Sequence, residues 1–294
     1  MASTLLKITA ILAPAGALAL YSASASAPTI DKRGFRLVFD EEFDKAPSFY
    51  DATNAPDGRW KTNYFFGVQD INHPIGWGSR TIEGNKEMQY YAPPVFGVAS
   101  PFEWKDGVLT IVARPNPNPS DSRTHGLPYI SGLITTEKSF SAATGYFEAR
   151  LALPSGKGLW PAFWLLPVPR MENGNPMEPG KQELDVMESV SEPGRIYHTV
   201  FTDDQGNKVK DGSFYDTGSD LTQYHTYGVK VTDTEIVWYF DDREVRRVSN
   251  VDFKRPAYML LNLAVGGEWP GAPDKTTRFP AHMKIDWVRA YALP

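Results

Sequence analysis

Cysteine is absent from all 294 residues. That excludes disulfides, thiolate metal sites and cysteine nucleophiles, and leaves stability to core burial even if the protein is exported. No block of basic residues occurs and the formal net charge is -5, so nucleic acid is not an expected partner. No segment holds a 3.6-residue apolar period between two helix caps, which argues against a helical bundle. The longest apolar run, residues 8–21, falls short of the roughly 20 residues a membrane helix needs. Lys7 precedes that run, and Ala-x-Ala sites come after it at Ala23-Ser24-Ala25 and Ala25-Ser26-Ala27. This order is expected of a secretion signal over 1–27 that leaves a mature domain of 28–294, extracellular or periplasmic and free of the membrane. An uncleaved anchor is the alternative reading. Lys32-Arg33 reads either as a dibasic processing site or as the lead-in to the first strand.

In place of these features the chain has short alternating segments and many turn residues. Phe35, Leu37 and Phe39 alternate, as do Leu109, Ile111 and Ala113. Phe147, Ala149 and Leu151 alternate with Tyr146, Glu148 and Arg150; Ile236, Trp238 and Phe240 lead into a turn at Asp241-Asp242. In the last segment Ile285, Trp287 and Arg289 are expected on one face, with Asp286 and Val288 on the other. The 24 Gly and 24 Pro suit the turns between so many strands. Together these predict an all-β sandwich or barrel in one domain, since such domains routinely reach about 200–250 residues. Two Pro/Asn/Gly-rich loops stand out, 115–122 and 168–180, and the second is placed to rim any site built by the strand next to it.

That strand holds Glu183-Leu184-Asp185-Val186-Met187-Glu188. In a strand, Glu183 and Asp185 share a face. Glu188 lies an odd interval from Glu183 and would point into the core, where an unpaired carboxylate costs several kcal/mol. A one-residue bulge near Val186-Met187 returns it to its neighbours' face. Three carboxylates on one surface raise at least one pKa, as a general acid near neutral pH requires. Two carboxyl groups flanking a bond, one attacking and one protonating, is the arrangement of glycoside hydrolysis. Asp185 is expected to steady the nucleophile. A solvated acidic strand face, or carboxylates for calcium, accounts for the same six residues without catalysis.

Tryptophans shift the balance toward a sugar site. Trp160 and Trp164 lie in Gly158-Leu159-Trp160-Pro161-Ala162-Phe163-Trp164, and Trp269 in Gly266-Gly267-Glu268-Trp269-Pro270-Gly271. Indole stacks on the apolar faces of sugar rings. Trp160 and Trp269, beside Gly and Pro, are cleft candidates, whereas Trp164 and Trp238 read equally well as core.

These segments resemble glycoside hydrolase family 16. Glu183 to Glu188 is similar to its bulged E-x-D-x-x-E signature, in the laminarinase-like group. Asn85-Lys86-Glu87-Met88-Gln89-Tyr90-Tyr91, Gly145 to Arg150, His225-Thr226-Tyr227, Leu261 to Gly267 and Ile285 to Tyr291 extend the likeness over about residues 35 to 292, in order. The resemblance implies a jelly-roll sandwich of two antiparallel sheets (concanavalin A-like) with an open concave cleft. It implies retaining hydrolysis of internal β-linkages in a polysaccharide, β-1,3- or mixed β-1,3-1,4-glucan, by a monomer that needs no cofactor. By motif position Glu183 would be the nucleophile, Glu188 the acid/base and Asp185 their assistant. Asn85, Trp160, Trp164 and Trp269 would bind the donor side of the glycan, with His198 as a further cleft residue; without the resemblance, a strand histidine reads as core. Glu42 and Asp286 match positions that hold a structural calcium in some members, although two carboxylates fall short of its six to eight ligands. Residues 79–84 and 169–181 are longer than simple members need, so Arg80 is either a partner for an acidic or acylated glycan or an exposed loop arginine. A non-catalytic glycan-binding protein and a transglycosylase are the alternatives on the same fold.

Overall fold

The computed structural model describes residues 27–64, 80–95, 100–172, 175–177, 182–204 and 207–294. The expected signal, save its last residue, lies outside them. The strands begin with β1 (Arg36–Glu41), β2 (Gln89–Tyr91), β3 (Phe102–Lys105), β4 (Val108–Pro115), β5 (Tyr129–Ser131) and β6 (Leu133–Thr135). The middle third supplies β7 (Gly145–Ala152), β8 (Leu159–Pro167), β9 (Arg170–Glu172), β10 (Asn175–Met177), β11 (Glu183–Glu188) and β12 (Arg195–Asp204). The chain ends with β13 (Asn207–Asp216), β14 (His225–Val231), β15 (Glu235–Phe240), β16 (Arg243–Ser249), β17 (Ala257–Val265) and β18 (Ala281–Ala292). Among the described residues the only helices are short 3-10 turns, at Glu83–Asn85 and Ser122–Thr124.

Two sheets face each other, as expected. The larger runs β16-β15-β14-β7-β18-β4-β5-β2, with β1 on β18 and β3 on β4; the smaller runs β13-β12-β11-β8-β17-β6. Pairing is antiparallel throughout except between β2 and β5. The core forms where inward faces meet: Leu109, Ile111, Phe147, Ala149 and Leu151 from the larger sheet, and Phe163, Leu165, Leu184, Leu261 and Leu263 from the smaller. Each such large side chain contributes roughly 1.5–3 kcal/mol by leaving water. Asp241 and Asp242 turn β15 into β16 with φ of 47° and 63°, both left-handed as a two-residue hairpin of this hand demands.

Three expectations need correction. Phe35, Leu37 and Phe39 do not share a face, because the register of β1 shifts between Leu37 and Phe39, leaving Leu37 exposed while Phe39 enters the core. The stretch 169–181 is not all loop, because β9 and β10 pair within it as a hairpin. On β18, Trp287 does not share a face with Ile285. The register shifts between them, so the core positions run Met283, Ile285, Val288 and Ala290, and the Trp287 ring lies instead under the Arg289 guanidinium at 4.2 Å. The slip restores burial for Val288 at the expense of strict alternation.

Ahead of β1, the Lys32 ammonium reaches the buried Glu148 on β7 at 2.7 Å and Asp242 at 2.9 Å. The segment leading into the first strand is therefore pinned at Lys32 to the outer face of the larger sheet.

Candidate active site

The acidic strand β11 lies at the middle of the smaller sheet, between β8 and β12. Asp185 pairs with Thr199 and Glu188 with Tyr197, so two residues of β11, Val186 and Met187, stand against one of β12. The inferred bulge is there. Leu184, Val186 and Met187 are all buried in the core, while Glu183, Asp185 and Glu188 line a cleft of about 430 Å³ on the opposite face. Parity explains why the three acids share a face: one extra residue converts an odd interval into an even one.

Glu188 Oε1 accepts a hydrogen bond from Trp160 Nε1 at 2.9 Å. Burial pushes its carboxyl up to about 7, the Glu183 charge pushes the same way, and Trp160, Lys210 and a hydrogen bond with Asp185 pull it back. Near neutral pH it therefore exists in both protonation states, which a group acting first as acid and then as base requires. Asp185, between the two glutamates, also hydrogen-bonds to Glu188.

Around these acids the expected binding residues gather. Trp164 forms the floor, buried, with its Nε1 donating to Asn262 Oδ1 at 2.8 Å, and Asn262 Nδ2 donating to Tyr91 Oη at 2.9 Å. Trp160 meets Trp269 edge to face at 5.5 Å, and Trp269 meets Tyr197 at 4.7 Å. Trp269 remains 42% exposed, so its ring is available to a ligand. Its loop can approach because Gly267 has φ 130° and no Cβ, which would otherwise come within 3.3 Å of the Trp160 ring and 3.2 Å of the Asn85 carbonyl. Asn85 ends the 3-10 turn at Glu83–Asn85. Its Nδ2 donates to Glu87 Oε1 at 3.0 Å and its backbone carbonyl accepts from Glu268 N at 2.8 Å.

Two charged cleft residues escaped the sequence reading. Glu87 is buried, receives Gln89 Nε2 at 2.6 Å and Ile82 N at 3.3 Å, and burial raises its pKa. It orients Asn85, since a carboxyl oxygen facing Nδ2 leaves Asn85 Oδ1 to face elsewhere. The Asn85-x-Glu87 spacing was its only signal. Lys210, on β13, lines the same cleft, with its ammonium 5.7 Å from the Trp269 ring and 5.9 Å from Phe201. Nothing near it in sequence announces this, because its neighbours belong to other strands.

Three expectations fail. His198 is not in the cleft: Tyr197, Thr199 and Phe201 take the cleft face of β12, so His198 takes the core face with Ile196 and Val200 and is 1% exposed. Its Nδ1 lies 3.0 Å from the Val186 carbonyl. Arg80 neither meets a glycan nor stands in solvent. It is fully buried, and its Nη1 donates to the carbonyls of Thr62 and Tyr91 at 2.9 and 2.8 Å, while burial draws its pKa down to about 10. Glu42 and Asp286 do not fit a calcium site. Arg289 holds the first at 2.6 Å and Arg150 the second at 2.5 Å. Among the described residues no three acidic, histidine or cysteine side chains cluster to hold a metal, and a calcium shell needs more oxygens than this pair supplies.

Comparison with known proteins agrees with the geometry. The chain is 35% identical over 284 residues to the endo-1,3-1,4-β-glycanase EglC of Rhizobium meliloti (strain 1021), covering 93% of this chain and 57% of that protein. It therefore spans a little over half the length of that relative. A β-glucanase of Rhodothermus marinus is 31% identical, with 88% of this chain and 90% of that protein covered. The crystal structure of the laminarinase catalytic domain of Thermotoga maritima superposes with a TM-score of 0.67 at 29% identity, over 87% of this chain and 98% of that one. The model of Glycosyl hydrolases family 16 matches residues 105–289, and on that match, with such relatives along nearly its full length, the chain belongs to this family.

Proposed function

We propose that the chain is a retaining endo-β-glucanase that cuts internal β-1,3 or mixed β-1,3-1,4 bonds of a glucan. Glu183 attacks the anomeric carbon while Glu188 gives its proton to the departing oxygen. Glu188, now a carboxylate, then takes a proton from the water that releases the sugar from Glu183. Asp185, hydrogen-bonded to Glu188, helps that proton change hands. The observation that carries this reading is the bulged β11, which sets all three carboxyl groups in one tryptophan-lined cleft. The substrate class is supported by the relatives, named as a 1,3-1,4-β-glycanase, a β-glucanase and a laminarinase. The signal-like segment 1–27 supports export to where such glucans occur.

The test is hydrolysis of laminarin and lichenan by the wild type, Glu183→Gln and Glu188→Gln. Each variant should lose several orders of magnitude in kcat while keeping its fold. Proton NMR early in the reaction should show the β-anomer first. Full activity in either variant, or initial α-product, overturns the assignment.

A further inference from the structure

We infer that His198 and Trp238 are positioning residues for Glu188: from the core side they lock the bulge that turns this acid into the cleft. The inference rests on the proposed glucanase reading and deepens it. A bulge interrupts the ladder, and the backbone groups it frees must find partners or remain unpaired in the interior. Here two consecutive carbonyls just before Glu188 are taken by side chains. Trp238 Nε1, from β15 of the opposite sheet, donates to the Asp185 carbonyl at 2.8 Å. His198 Nδ1, from the neighbouring β12, lies 3.0 Å from the Val186 carbonyl.

A carbonyl can only accept, so Nδ1 carries the proton and Nε2 is the bare nitrogen. Nε2 indeed has no hydrogen-bond partner. Both rings are buried, at 1% and 0% exposure, and lie 6.0 Å apart. Arg246 braces them: its guanidinium lies 4.7 Å from the Trp238 ring, its Nη1 donates to the His198 carbonyl at 2.8 Å, and Asp211 holds its far end at 2.6 Å. Burial keeps the imidazole neutral, its pKa drawn down to about 4 with the Arg246 charge adding to the effect. A core position otherwise filled by aliphatic side chains on β12 thus carries a ring N–H aimed at the extra residue. If the two N–H donors are lost, the Asp185 and Val186 carbonyls are left unpaired in the core, the bulge loses that support, and Glu188 shifts from its place in the cleft.

Four proteins test this: wild type, His198→Leu, His198→Asn and Trp238→Phe. Leucine removes the donor; asparagine places an N–H where Nδ1 stood; phenylalanine keeps a ring without an N–H. On laminarin, His198→Leu and Trp238→Phe should each lose about ten- to a hundredfold in kcat, the range for a misplaced catalytic group, with KM moved less than about threefold. His198→Asn should recover most of the loss. A folded His198→Leu with wild-type kcat, or His198→Asn as impaired as a folded His198→Leu, overturns the proposal. If His198→Leu does not fold, His198→Asn and Trp238→Phe decide: near-wild-type kcat in the first with loss in the second supports it, and unchanged kcat in the second refutes it. Should the wild type cleave no β-glucan, the functional reading falls instead. The lock is then judged by a crystal structure of Trp238→Phe, where an unshifted Glu188 refutes it and an inward-turned Glu188 supports it.

Discussion

Replacing Glu188 with glutamine should stabilise the protein at alkaline pH while disabling it. The side chain keeps its shape, and its Oε1 can still accept from Trp160 Nε1, which is 2.9 Å away in the native site. Only the titration is lost. In the native fold the carboxyl is held at about 7 instead of its usual 4.5, chiefly by burial. A carboxyl raised on folding binds its proton more tightly in the native state, so its stabilising contribution is complete below pH 4.5 and is lost as pH rises through 7. At 1.36 kcal/mol for each tenfold change in proton affinity, the full loss is about 3 kcal/mol. Glutamine does not pass through that window. The melting temperature of Glu188→Gln relative to wild type should therefore rise between about pH 4 and pH 8, by roughly 5–10 °C for a domain of this size. Differential scanning calorimetry at acidic, intermediate and alkaline ends of that range measures it. A difference between the two proteins that stays constant across the range would show that Glu188 ionises normally, and the acid/base assignment would lose its electrostatic basis.

The same geometry sets further outcomes. The alkaline limb of the wild-type kcat/KM profile should fall as pH passes about 7, since Glu188 must be protonated to act as acid. Lys210→Met should move that limb upward, because the ammonium pulls the Glu188 pKa down; a limb that does not move removes Lys210 from the electrostatics. Glu87→Gln should raise KM for laminarin oligosaccharides about tenfold with a smaller change in kcat, by unseating the Asn85 amide; an unchanged KM means that Asn85 does not hold the glycan. Treatment with a chelator should leave the melting temperature within about 1 °C, as Glu42 and Asp286 are already held by arginines; a clear drop would place a cation elsewhere.

The bulge in β11 was legible in the sequence because a carboxylate stood at the wrong parity, and burying it bare is costly. The second bulge, between Ile285 and Trp287, gave no such warning. Tryptophan is acceptable on either face, so regular alternation looked equally good. His198 was placed in the cleft by the resemblance, whereas the plain reading of a strand histidine as core was right. Alternation groups the residues of one strand into two faces, but which face meets the cleft depends on pairing with β11, and that register is non-local. Arg80 shows a different limit. A guanidinium can be buried without a carboxylate when backbone carbonyls surround it, and here Thr62 and Tyr91 of β2 supply them. The acids of β11 and the tryptophans beside Gly and Pro could be picked out singly, because charge and turn residues constrain them locally.

The Lys32 anchorage gives the basic pair an unexpected weight. Arg33 is splayed outward on Asp31, reachable by a protease, while its neighbour is the counter-ion of the enclosed Glu148. Scission after the pair would shed more than a short peptide: it would remove the ammonium that Glu148 and Asp242 share. Trimming that far should therefore loosen the outer wall, across which the intact arm acts as a rivet.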